Sequence, residues 1–209
     1  MGLSDVMLQC SIRIVDREWM ERMSPTGVVV QKVVGFQRGE ITRHLQRLSP
    51  QDRRRRFGTY MSDEAIEHYV TGIDFARDRV FGIFDPGLAL TGVVHLALGP
   101  DGGTAELGLS VDPEHRGKGY GYTLLNRGKL HAQNLGYKKL YMHCLAENQI
   151  MIHLARKAGM QVVTESGEAD AHVALSEATY GDLAQEFIGD QVALIDYLLK
   201  RQTRWLSRT

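Results

Sequence analysis

Residues 106–121 read Glu-Leu-Gly-Leu-Ser-Val-Asp-Pro-Glu-His-Arg-Gly-Lys-Gly-Tyr-Gly. A strand-like run stops at Asp112-Pro113, and glycines follow at positions 117, 119 and 121. A helix of roughly 119–134 is expected next, because Leu124, Leu125, Gly128, Ala132 and Leu135 repeat at the spacing of one buried face. Glycines at such a turn let the chain bend sharply and let a ligand approach the backbone N–H groups. The first N–H groups of a helix lack internal partners and carry partial positive charge, so a phosphate or pyrophosphate is the natural occupant. Arg116 and Lys118 add charge-assisted contacts.

Upstream, Arg79–Phe84, Ala89–Leu98 and Thr104–Val111 read as three strands, separated by Asp85-Pro86-Gly87 and Gly99-Pro100-Asp101-Gly102-Gly103. Turn-rich separators of this length predict an antiparallel meander. Before it, Val28–Phe36 reads as a strand, Glu40–Leu48 as a helix, and Ser49-Pro50 as the N-cap and first position of another. Ser62-Asp63-Glu64 opens a short helix toward Val70. Downstream come a strand (Lys139–Leu145), a helix from Asn148 to Ala158 and a break at Gly159. Strands at Gln161–Thr164 and His172–Leu175 follow, then an amphipathic tail bearing Ile188, Val192, Ile195, Leu199 and Leu206. The order predicts an α+β fold around a central, mostly antiparallel sheet. Residues 1–27 read as a lead-in and 176–209 as a C-terminal helical extension, whose apolar stripe covers either the domain itself or a second subunit.

The bulk numbers exclude several classes. The chain has 209 residues, 43% hydrophobic and 24% charged, with 25 basic and 25 acidic side chains. That balance gives no global attraction to nucleic acid or membrane. No run approaches the roughly 18 apolar residues of a membrane span, and Met1–Arg17 lacks a signal-peptide pattern. The two cysteines, Cys10 and Cys144, form no pair framework, which suits a reducing compartment; a cytoplasmic protein is expected. The histidines show no metal-ligand spacing, so no metal is expected.

The glycine loop by itself is a weak signal. It lacks the Lys-Ser/Thr ending of a P-loop, and the preceding hairpins lack the βαβ start of a dinucleotide fold. Yet Arg116-Gly-Lys-Gly-Tyr-Gly121 resembles the Arg/Gln-x-x-Gly-x-Gly/Ala acyl-CoA motif of the GNAT superfamily of N-acetyltransferases. Asn148-x-x-Met151-x-x-Leu154-x-x-x-x-Gly159-Met160 resembles a second motif of that family at the appropriate distance. The resemblance covers about residues 28–175 and implies a sheet splayed after its fourth strand. Acetyl-CoA, or another acyl-CoA, is the implied co-substrate. Its pantetheine arm would pair with the backbone of Leu109 and Val111, its pyrophosphate would rest on Arg116, Gly117, Lys118, Gly119, Tyr120 and Gly121, and Asn148 would touch the arm. Asn148 also reads as an ordinary N-cap, and both roles are compatible.

The implied reaction moves an acyl group to an amine by direct attack in a ternary complex. A lysine-like amine has a pKa of about 10.4, so something must accept its proton. Glu106 is the candidate base, since period two places it on one strand face with the small residues Gly108 and Ser110, which is expected to leave open space for a substrate. The family's usual tyrosine acid is replaced by Ala155, and no general acid is assigned. Cys144 reads as core. The arginine run 53–56 reads as a solvated helix with one or two paired members, or as an attractant for an acidic acceptor or CoA phosphates. The acceptor, a small-molecule amine or a protein lysine, is not named by residues 38–72, although Leu48-Ser-Pro-x-x-Arg-x-x-x-Phe57 resembles a helix of bacterial protein-lysine acetyltransferases. The competing readings are an acyl-CoA sensor without turnover and a purely structural domain. A monomer or homodimer suits all three.

Overall fold

The computed structural model describes residues 28–206, with side chains through residue 202. Cys10, the lead-in 1–27 and the side chains of Trp205 and Leu206 lie outside the described residues. The strands are β1 (Gln31–Val33), β2 (Arg79–Phe84), β3 (Leu90–Leu98), β4 (Thr104–Val111), β5 (Lys139–Leu145), β6 (Gln161–Glu165) and β7 (Glu168–Ala174). The helices are α1 (Arg38–Arg47), α2 (Pro50–Phe57), α3 (Asp63–Thr71), α4 (Tyr120–Asn134), α5 (Gln149–Lys157) and α6 (Tyr180–Leu206).

The strands make one open sheet in the order β1-β2-β3-β4-β5-β7-β6. Every neighbouring pair is antiparallel except β4 with β5. This is the expected α+β, mostly antiparallel architecture. Alternation along the strands gives the sheet two faces. One carries Val80, Leu90 and Val93 against Ile41, Leu45, Ile66 and Val70 of α1 and α3. The other carries Phe81, Val94, Leu96, Leu107 and Leu109 against Leu124, Leu125 and Ala132 of α4 and Ala155 of α5. Gly128 lets α4 lie close on that face, since a Cβ there would come within 2.9 Å of Leu107 Cδ1.

The helices start where their sequence says. Ser49 Oγ accepts from the Asp52 N–H, with Pro50 opening α2, and Ser62 Oγ accepts from the Ala65 N–H at α3. Two strand bounds differ from expectation. β1 is shorter than 28–36, because the chain leaves the sheet into a single turn of 3-10 helix at Gly35–Gln37. β7 begins at Glu168 rather than His172, because the tight turn at Ser166-Gly167 (φ 50° and 88°) folds it straight back on β6.

The helix α6 lies along α4. Arg127 pairs with Glu186 and Asp190, while Asn134 and His131 also bind Glu186. Burial raises the Glu186 carboxyl, but the His131 and Asn134 hydrogen bonds and the Arg127 charge outweigh it and hold the group at about 2. At the other end Gln31 of β1 donates to Asp196, and Lys200 donates to the Phe84 carbonyl.

Candidate active site

The opening that matters lies between β4 and β5. Their parallel pairing runs only from Thr104↔Lys139 to Glu106↔Tyr141. Beyond it β5 stays with β7 as far as Leu145↔Glu168, and β4 stays with β3 as far as Gly92↔Val111. The two strands therefore part after Glu106, leaving the β4 edge from Leu107 to Val111 without a strand on that side. A cavity of about 470 Å³ fills the gap. It is walled by Leu109, Ser110 and Val111, by the glycine loop, by Asn148, Met151 and Leu154 at α5, and by Leu48, Asp52, Arg55 and Arg56.

The loop at its floor is built from backbone. Gly117 (φ 74°) and Gly119 (φ 81°) both adopt the left-handed conformation, and Gly119 is the N-cap of the 15-residue helix α4. No side chain caps that helix, and no acidic residue stands in its first turn. Its leading N–H groups thus face the cavity with the positive end of the helix dipole behind them, which suits a pyrophosphate. Gly121 lets α4 meet α5, since a Cβ there would sit 3.3 Å from Leu154 Cδ2. Arg116 crosses the opening: its Nε donates to the Val111 carbonyl (3.1 Å) and its Nη2 to Asp52 Oδ1 (3.1 Å). Burial pushes Asp52 up, but hydrogen bonds from Arg116 and Ser49 win and hold its carboxyl below the ordinary value. Lys118 is exposed and lies outside the cavity wall. Asn148 lines the cavity and also caps α5, its Oδ1 accepting from the Met151 N–H at 3.2 Å.

Glu106 is exposed at the last paired position of β4, beside Tyr141. The Tyr141 hydroxyl donates to Asp170, and that bond, with burial and the surrounding carboxylates, pushes the phenol up to about 12. Tyr141 therefore stays protonated and engaged, which makes it a poor proton donor to anything else. Ala155 is fully buried, so the position of the family's tyrosine carries no polar atom to the cavity. Cys144 is buried with Ile152 and Ala169, and burial raises its thiol, as a core residue requires.

The face that Glu106 shares with Gly108 and Ser110 is not the open surface expected from its small residues. Ser110 is buried beneath α1, its hydroxyl hydrogen-bonded with Nε2 of the fully buried His44 at 2.9 Å. Gly108 is covered by the Arg56 guanidinium, which a Cβ at that position would meet at 2.2 Å. Arg56 is half-buried and heads a chain of four side chains. Its Nη2 donates to the Tyr69 hydroxyl (3.1 Å), which lies 2.7 Å from His95 Nδ1, while His95 Nε2 lies 3.1 Å from Asp78. Burial and then the Arg56 charge lower the His95 pKa, against the opposing pull of Asp78. The imidazole is thus neutral at pH 7, with Nε2–H donating to Asp78 and Nδ1 accepting from Tyr69.

The arginine run also needs correction. Arg53, Arg54 and Arg55 each face a carboxylate: Asp63 at 2.7 Å, Glu147 at 2.5 Å and Asp52 at 3.6 Å. Three of the four are paired, more than the one or two of the solvated-helix reading, and Arg55 and Arg56 line the cavity. A helix turns 100° per residue, and here α2 is wedged between the cavity and the α5 loop, so all four directions meet protein.

Residues 44–160 match the acetyltransferase (GNAT) family, more than half of the chain, and the protein belongs to that family. Over 64 residues it is 39% identical to a mycothiol acetyltransferase of Propionibacterium freudenreichii, covering 30% of this chain and 20% of that one. Over 99 residues it is 33% identical to spermidine N(1)-acetyltransferase of Vibrio cholerae, covering 46% of this chain and 57% of the relative. The chain thus spans less than two thirds of either relative's length. The crystal structure of spermidine N-acetyltransferase from Vibrio cholerae, with CoA and spermine, superposes with a TM-score of 0.57 at 22% identity, over 72% of this chain and 96% of that one. The GNAT domain of S. lividans PAT superposes with a TM-score of 0.60 at 19% identity, over 70% and 89%. Both share the fold.

Among the described residues no group of three His, Cys, Asp or Glu is placed to hold a metal ion, and no helix is long and apolar enough to cross a membrane.

Proposed function

We propose that the protein is an acetyl-CoA-dependent N-acetyltransferase that passes the acyl group directly to an amine. The observation that carries this reading is the parting of β4 and β5 after Glu106, with the bare β4 edge and the uncapped start of α4 lining one cavity. An extended chain can pair with the bare β4 edge at Leu109 and Val111, while a pyrophosphate rests on the N–H groups of Gly117 to Gly121 beside Arg116. That is the shape and charge of a CoA tail, and the relatives solved with CoA support the assignment. The thioester then lies where the strands separate, next to Glu106.

Glu106 accepts a proton from the incoming ammonium, through water, so that the neutral amine attacks the thioester carbonyl. The new C–N bond forms as the C–S bond breaks, the proton shed by the acylated nitrogen passes through water to the departing thiolate, and a thiol pKa of about 8.5, as for cysteine, lets that sulfur leave without a dedicated acid. Asn148 holds the start of α5 in register with the cavity and offers its amide N–H to the pantetheine arm. Arg116 and Asp52 fix the loop against α2. The acceptor is an amine, and a cytoplasmic, reducing setting suits the free Cys144.

The test is Glu106→Gln. It is expected to lower kcat by about 100-fold or more, the usual contribution of a general base, and to leave the acetyl-CoA Kd unchanged. Unchanged turnover would remove Glu106 from the mechanism. Binding of acetyl-CoA without amine-dependent CoA release, across a broad amine screen, would favour a sensor over an enzyme.

A further inference from the structure

We propose that the acceptor amine carries a carboxylate and that Arg56 holds it; the proposal rests on the acetyltransferase reading above. Arg53, Arg54 and Arg55 each have a carboxylate partner, but among the described residues none stands within ion-pairing distance of Arg56. Its guanidinium is half-buried between aromatic rings, 4.8 Å from the Phe57 centroid and 5.9 Å from that of Tyr69. Its Nε is buried without an acceptor. A cation drawn partly out of water with no counter-charge is destabilised, and an anion delivered to it is bound correspondingly well.

The protein also holds this cation in place. The Tyr69 hydroxyl spends its proton on His95, whose own N–H is fixed on Asp78, a residue only 4% exposed. A lone pair of the phenol is therefore turned toward Arg56, and the guanidinium is oriented from the protein interior. Gly108 makes room, since any side chain there would displace the group. Arg56 lines the cavity above Gly108, two residues from Glu106 on the same strand face, a separation of about 7 Å at strand spacing. An amine beside Glu106 and a carboxylate on Arg56 fit one small amino acid, and the planar guanidinium suits a carboxylate. A polyamine would meet like charge at this point. A lysine within a protein has its own carboxyl consumed in an amide bond.

The experiment measures CoA release for matched pairs of acceptors, each a free amino acid and the amine left when its carboxylate is removed, alongside acetyl-CoA binding by titration. The wild-type enzyme should prefer the carboxylated member of at least one pair. Arg56→Gln should raise KM for that member about 100-fold, as expected for one partner of a desolvated charge pair, while kcat and the decarboxylated member change little. Tyr69→Phe, which removes only the support, should raise the same KM about fivefold and leave kcat in place. Preference for the decarboxylated member in every pair, or an Arg56→Gln variant that loses kcat on both members alike, would overturn the proposal and leave the acetyltransferase reading standing. No amine-dependent CoA release from the wild-type protein would overturn both.

Discussion

The two walls of the cavity are made differently. The loop wall, from β4 to the start of α4, offers backbone: left-handed glycines, an uncapped helix end and a strand edge. The opposite wall offers side chains, Leu48 with Asp52, Arg55 and Arg56 of α2, and Arg56 is backed from the interior by Tyr69 of α3, His95 of β3 and Asp78 just ahead of β2. A backbone site depends on conformation, so it binds any chain with the right phosphates and extended shape. A side-chain site depends on the identity of each residue, so it can discriminate among acceptors. The division suits a protein that uses one constant substrate and one specific one.

Substitutions can break this contrast. The largest effect is expected on the backbone wall. Gly119→Val places a β-branched residue at φ 81°, a conformation costing roughly 1–3 kcal/mol, and crowds the N–H groups with a side chain. Acetyl-CoA affinity should fall about 100-fold or more, while the far-UV spectrum stays that of the folded protein. Arg116→Ala should cost about tenfold in the same titration, because it removes one charge-assisted contact and leaves the helix end intact. If Arg116→Ala proved more damaging than Gly119→Val, the loop wall would be a side-chain site after all.

A third variant tests a region remote from both walls. Glu186 ties α6 to α4, and its carboxyl is held at about 2 against an ordinary value of 4.5. A depressed carboxyl stabilises the fold fully above its ordinary value, and the contribution is lost as pH falls from about 4.5 toward 2. Glu186→Gln should lower Tm near neutral pH by roughly 5 °C, equivalent to about 2 kcal/mol for a partly solvated pair. It should also flatten the fall in Tm below pH 4.5, judged against the ordinary carboxyl value. Acetyl-CoA binding should be the least altered of the three.

The same contrast explains which parts of the molecule are legible in its sequence. The loop wall is contiguous, so residues 106–121 announced the strand end, the glycine turn and the helix start in order. The bounds of β2 and β4 were legible because Asp85-Pro86-Gly87 closes β2, the Gly99–Gly103 turn opens β4 and Asp112-Pro113 closes it. The chain of side chains that backs Arg56 was not legible. Arg56, Tyr69, Asp78 and His95 share no periodicity, and only the β3–β4 register, which sets His95 opposite Gly108, brings them together. Gly108 looked like vacant space because a glycine gives no sign of what lies above it. His44, buried between Ser110 and the Leu90 carbonyl, was likewise hidden inside an ordinary amphipathic helix. The one available hint was alternation along β3, where His95 interrupts an apolar run between Val94 and Leu96.

The most direct test of the central claim is calorimetric titration of the intact protein with acetyl-CoA, CoA and, as a control, NAD. Acetyl-CoA and CoA are expected to bind at micromolar concentration, with NAD silent and both signals lost in Gly119→Val. Absence of CoA binding, or equal binding of NAD, would contradict the account and leave the glycine loop as a structural turn.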